Sequence, residues 1–161
     1  MAGRRREQDP YELALRALNY KERTESELDT WLAERGVEEA ERADVIALLA
    51  ESGAIDDASF AQRYADDKRE LAGWGPERIR GSLAARGVSR EHVDAALSGD
   101  DADSQLARAA RLLHERGIGL GSDAGRERAL RLLVRRGYAL ELAYEAVRAA
   151  ERAAQGGREA A

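Results

Sequence analysis

WLAERGV at residues 31–37, SLAARGV at residues 82–88 and LLVRRGY at residues 132–138 are three renderings of one phrase. Its glycines, Gly36, Gly87 and Gly137, follow one another at intervals of 51 and 50 residues. A fixed period of this size is the signature of a repeat array, in which each unit buries its apolar face only by stacking on a neighbour. Such arrays present extended surfaces to other macromolecules rather than enclosing a pocket. The phrase therefore points to binding before any catalytic motif is considered.

Each copy reads as the end of a helix. In the first, Thr24-Glu25-Ser26-Glu27 forms a capping box, with the Thr24 hydroxyl and the Glu27 carboxylate each satisfying the other's backbone N–H. Leu28, Trp31 and Leu32 follow on one face. Arg35 sits in the last turn, opposite the negative end of the helix dipole, and Gly36 supplies the left-handed cap. The second copy starts at Gly75-Pro76, places Ile79 and Leu83 at the equivalent apolar positions and ends at Arg86-Gly87. The third starts at Ser122, carries Ala129 and Leu133, and ends at Arg136-Gly137. Arg35, Arg86 and Arg136 are accordingly assigned mainly to helix-end electrostatics.

An amphipathic helix follows each glycine, marked by Val45, Ile46, Leu48 and Leu49, then by Val93, Ala96 and Leu97, then by Leu142, Ala143, Ala146 and Val147. Another precedes each phrase. The first opens at Asp9-Pro10, with Leu13, Leu15 and Leu18; the second opens at Asp56 or Asp57, with Phe60, Ala61 and Tyr64. The third opens at Asp101 or Asp103, with Leu106, Ala109, Ala110 and Leu113. The expectation is an all-α chain of three tandem three-helix repeats forming an elongated, curved array. Its repeats would occupy residues 10–53, 54–99 and 100–152, between a disordered basic tail at 1–9 and a frayed tail at 153–161. No strand is expected, because alternating runs of strand length are absent.

Composition agrees. Of the 161 residues, 35% are charged and only 5% aromatic, with two prolines. Unbranched Ala, Leu, Glu and Arg lose little rotamer freedom in a helix. Cysteine is absent, which excludes disulfides, thiolate metal sites and cysteine nucleophiles, and fits a cytoplasmic address. No apolar run has the length of a membrane span, and no cofactor motif occurs. The net charge is −5 and unevenly spread. Residues 1–51 hold 8 basic and 13 acidic side chains, residues 52–101 hold 7 and 10, and residues 102–161 hold 11 and 8. A protein devoted to coating nucleic acid would be basic throughout; here only the last third is.

The residues from Ser52 to Leu97 resemble the RecX family, bacterial regulators of the RecA recombinase. The likeness rests on Gly53, Ile55, Asp56, Asp57, Phe60, Ala61, Lys68, Arg69, Gly73, Gly75, Ile79, Leu83, Gly87 and Val88, joined by the helix start Thr24-Glu25-Ser26-Glu27-Leu28. It extends over roughly residues 10–150 and is looser in the third repeat. The resemblance implies a non-enzymatic modulator that lies along the groove of RecA–DNA filaments, and the chain is expected to be a monomer. There it would suppress ATP hydrolysis, strand exchange and co-protease activity. A helical DNA-binding transcriptional regulator is the alternative, since three-helix units can present a recognition helix.

Several constellations have two readings. Asp56-Asp57 suits either an acid–base pair or a helix N-terminus, and the second is preferred. Gly73-Trp74-Gly75 lacks the strand and full spacing of a phosphate loop and reads as a connector. Trp74 is then packed between helices or exposed as a binding anchor. His92 and His114 are isolated, so no metal site is expected. Arg128, Arg131 and Arg135 fall at i, i+3 and i+7 and share a helical stripe flanked by Arg126 and Arg136, with Arg108 and Arg111 one helix earlier. The stripe suits a solvated face or a contact for acidic protein or DNA phosphate. Lys68 and Arg69, with Arg78 and Arg80, form a second candidate patch, next to Trp74.

Overall fold

A computed structural model describes residues 9–159. Among them are nine α-helices and no strand. Repeat 1 holds α1 (Pro10–Tyr20), α2 (Glu25–Ala33) and α3 (Glu39–Glu51). Repeat 2 holds α4 (Asp57–Ala72), α5 (Pro76–Ala85) and α6 (Arg90–Leu97). Repeat 3 holds α7 (Ala102–Glu115), α8 (Asp123–Arg135) and α9 (Leu140–Glu159). The tail expected at residues 1–9 lies outside the described residues except for Asp9, which caps α1 by accepting from the Tyr11 N–H. At the other end α9 continues past residue 152 to Glu159, carried by Ala153, Ala154 and Gln155 and in spite of Gly156 and Gly157.

The helix starts are built from the expected side chains. The Thr24 hydroxyl accepts from the Glu27 N–H at 3.1 Å while Glu27 accepts from the Thr24 N–H at 3.1 Å, completing the capping box. Asp56, Ser89, Asp101 and Ser122 cap α4, α6, α7 and α8 by accepting from the N–H three positions on, without the reciprocal bond. The glycine of every phrase lies at positive φ, from +77° to +94°. After each, the next residue's N–H bonds the carbonyl five positions back, as Val88 does to Leu83 at 3.1 Å, which closes the helix end.

Each repeat has its own core. Leu28, Leu32, Val45 and Leu49 meet Ala14 and Ala17 in repeat 1. Phe60, Ile79, Leu83, Val93 and Leu97 fill repeat 2, and Leu112, Leu113, Leu133, Tyr138 and Val147 fill repeat 3. In α1 it is the alanines that are fully buried, while Leu13, Leu15 and Leu18 pack only partly, because the small side chains let α1 approach α2 and α3 closely. Leu48, expected in the core, is 54% exposed, since Val45 and Leu49 already define the inward stripe of α3.

The main helix packing stays inside each repeat, and the repeats are joined end on by the phrase itself. At the first joint the Thr24 hydroxyl donates to the Arg86 carbonyl at 2.7 Å, and Asp57 accepts from the Glu25 N–H at 3.0 Å. At the second, the N–H groups of Gly75 and Glu77 donate to the carbonyls of Arg136 and Gly137 at 2.7 and 3.0 Å. The C-terminal end of α8 thus meets the N-terminal end of α5, and that of α5 meets α2. Negative and positive dipole ends are apposed, and groups that a lone helix leaves without partners are satisfied. A Cβ on Gly75 would lie 2.5 Å from the Gly137 carbonyl oxygen, so this approach requires glycine there.

A candidate partner-binding surface at the second joint

Asp100, in the link between repeats 2 and 3, anchors the second joint. Its carboxylate receives Arg108 Nη1 at 3.0 Å and Nη2 at 2.7 Å, a bidentate pair within the core. Arg108 Nε donates to the Tyr138 hydroxyl at 3.1 Å, and that hydroxyl donates to the Gly73 carbonyl at 2.7 Å. Arg69 Nε lies 3.6 Å from Asp100, and its Nη2 donates to the Ala96 carbonyl at 3.0 Å. Burial opposes charge on Arg108, yet Asp100 and Tyr138 hold its pKa above the ordinary value. Burial raises the pKa of the Tyr138 phenol.

Two arginines expected at a partner surface, Arg108 and Arg69, are therefore occupied inside the fold. Sequence spacing placed Arg108 beside Arg111, but the two point apart: Arg108 is 9% exposed, whereas Arg111 is exposed and only 3.8 Å from Glu115. Lys68 lies over the rings of Tyr64 and Trp74, and Arg78 lies 4.1 Å from the Trp74 centroid on the same residue. Trp74 packs partly against the repeat 2 core, with cations against it.

The α8 stripe divides. Arg126 bonds Asp123, Glu151 and the Leu120 carbonyl. Arg131 stands 3.6 Å from Glu127. Arg128 and Arg135 are exposed and make no ion pair among the described residues. Arg78 donates to the Arg135 carbonyl at 3.3 Å, which brings the two expected patches onto one surface.

The phrase arginines need a correction. Arg35 behaves as a helix-end residue, donating to the Trp31 carbonyl at 3.0 Å and lying 3.4 Å from its ring centroid. Arg86 and Arg136 do more. Arg86 reaches Glu27 in repeat 1 with bonds of 2.7 and 3.0 Å, and Arg136 donates to the Ala72 carbonyl in repeat 2. Burial and the guanidiniums of Arg116, Arg78 and Arg135 push Arg136 below its usual pKa. Arg78, Arg116, Arg135 and Arg136 thus form a basic cluster at the joint, without an ion-pair partner among the described residues. Arg116 escaped notice because it ends α7, remote in sequence from the others, and no periodicity links it to them.

Other candidates resolve simply. Asp57 is 7% exposed and caps the start of α2 from the neighbouring repeat. Among the described residues no group of three or more His, Cys, Asp or Glu side chains could hold a metal ion, and no helix is long and apolar enough to cross a membrane.

Comparison with known proteins adds to this geometry. The family model for the first three-helix domain of RecX matches residues 11–49, and that for the second matches residues 56–97. The Regulatory protein RecX of Mycolicibacterium vanbaalenii is 34% identical over 146 residues, covering 85% of this chain and 79% of that protein. That of Mycobacterium avium is 36% identical, covering 88% and 84%. The crystal structure of RecX from Lactobacillus salivarius superposes with a TM-score of 0.80 at 19% identity, covering 88% of this chain and 94% of that one. A second RecX crystal structure gives 0.72 at 24% identity, covering 86% and 70%. At these identities the two structures speak for the fold.

Proposed function

The chain belongs to the RecX family, and from that premise we propose that it regulates homologous recombination and the SOS response by lying in the groove of RecA–DNA filaments. There it inhibits RecA ATPase, strand exchange and co-protease activities, as a cytoplasmic, non-enzymatic monomer. The observation that carries the reading is the basic cluster at the second joint, on a chain whose net charge is −5. Within it Arg78 and Arg136 are held in place by backbone carbonyls yet lack carboxylates, which prepares them for oxygen anions on a partner.

Serial repeats fit a helical groove because each adds contacts at high effective concentration once its neighbour is seated. A bound array excludes a second DNA strand or a repressor from the space it fills. It also shifts the filament between states by binding one more tightly than the other. Direct contact with DNA is compatible with the exposed Arg128 and Arg135, but a DNA-binding transcriptional regulator is disfavoured by the net charge of −5.

The test is RecA ATPase on single-stranded DNA with increasing amounts of the chain. Saturable inhibition is expected. Unchanged hydrolysis at saturating protein refutes the proposal.

A further inference from the structure

Beside the buried Asp100–Arg108 pair lies an open cleft of about 530 Å³, walled by Glu70, Leu71, Arg111, Glu115, Arg116 and Arg136 among others. Three features of this wall belong together. Arg116 and Arg136 carry no ion pair among the described residues, and Arg136 is fixed by its bond to the Ala72 carbonyl. Leu71 stands 85% exposed at the end of α4, where Gly73 turns the chain at φ +62°. Two carboxylates, Glu70 and Glu115, share the wall with the arginines.

A single exposed leucine is ordinary on a protein surface. Here it flanks unpaired guanidiniums, and that combination selects a ligand with both an anion and an apolar group. We propose that the cleft docks an acidic peptide segment of a partner protein, setting a carboxylate against Arg116 and Arg136 and an apolar side chain over Leu71.

A nucleic-acid strand fits less well. Its phosphates offer only acceptors and negative charge, and Glu70 and Glu115 would repel them. A peptide brings N–H donors that those carboxylates can accept, while its own acidic side chains meet the arginines. The chain's net charge of −5 further opposes a polyanion. The assignment deepens the proposed function, since it rests on the partner being a protein filament and locates one contact with it.

Two experiments on the full chain separate the inference from its premise. The first follows the fluorescence anisotropy of a labelled synthetic peptide in which Leu-Phe is flanked by one Asp on each side within an uncharged Ser-Gly sequence, with a labelled oligothymidylate in parallel. Saturable peptide binding is expected, weakened about tenfold or more by Arg116→Glu or Leu71→Asp. Both side chains are exposed, so unchanged circular dichroism and melting will show that the variants fold. Absence of saturable peptide binding overturns the inference, as does binding that both variants retain. Oligothymidylate binding that falls with Arg116→Glu also overturns it and makes the cleft a phosphate site. The second experiment is co-sedimentation of the wild-type chain with RecA filaments. Its failure refutes the filament as partner and leaves a positive peptide result standing.

Discussion

Arg86 and Glu27 are 59 residues apart in sequence, yet the Arg86 guanidinium grips the Glu27 carboxylate with bonds of 2.7 and 3.0 Å while lying over the Phe60 ring. The pair ties the end of α5 to the capping box of α2. Its side chains are 28% and 29% exposed, so the coupling exceeds that of a fully solvated pair. A double-mutant cycle with Arg86→Ala and Glu27→Gln, followed by urea unfolding, should give about 1–2 kcal/mol.

Acid should loosen the same joint. The hydrogen bonds from Arg86 hold the Glu27 carboxyl below its ordinary pKa, against the opposing effect of burial. A depressed carboxylate contributes fully above the unfolded value, roughly 4.3, and the contribution is lost as pH falls through the lower folded value. Stability measured from pH 6 downward should therefore fall less steeply in Glu27→Gln than in the wild type, by the equivalent of about one titrating group.

Asp57 predicts the opposite sign. Burial raises its pKa despite the bond it accepts from the Glu25 N–H. Its ionisation therefore costs stability at neutral pH, a cost that disappears as pH falls through the raised folded value. Asp57→Asn keeps an acceptor for that N–H and should be within about 1 kcal/mol of the wild type at pH 7. Asp57→Ala strands the N–H and should cost about 1–3 kcal/mol by urea unfolding.

Removal of the Asp100 carboxylate leaves Arg108 charged in the core without its partner, whereas Arg69 keeps Asp66 at 3.0 Å. Asp100→Ala should cost about 3–5 kcal/mol in denaturant unfolding, and Asp100→Ala with Arg108→Met should cost less than the sum of the two single changes.

The glycines of the phrase should not tolerate alanine equally. Gly36 sits at φ +78°, and a Cβ added there would meet nothing within 4 Å, so Gly36→Ala should cost only the backbone term, about 1 kcal/mol. Gly137, at φ +94°, has the Arg78 backbone against it, and Gly137→Ala must also open the second joint. Thermal melting should show the larger loss for Gly137→Ala, by about a further 1–3 kcal/mol.

Much of the scaffold was legible because its signals are local. Thr24 and Glu27 lie within one turn of each other, and a capping box needs nothing further away. The glycine caps and the inward stripe of Leu28, Leu32, Ile79, Leu83 and Leu133 follow from the helical period alone. The site was less legible. Arg108 and Arg111 lie three residues apart, yet only the packing of α7 against α9 turns one to Asp100 and leaves the other in solvent. Arg116 and Leu71 carry no pattern at all, and belong together only because α4 and α7 end near the same cleft.

By itself, the sequence determined how many repeats form, how each helix starts and stops, and which face of each turns inward, since these depend on residues within a few positions of one another. The tertiary structure decided what the repeated Arg-Gly does. Read locally it ends a helix; in the array its carbonyls and guanidinium join each later repeat to the one before. The difference is physical. A helix end leaves carbonyls and a helix start leaves N–H groups without partners, and only the stacking of one repeat on the next brings the two sets together.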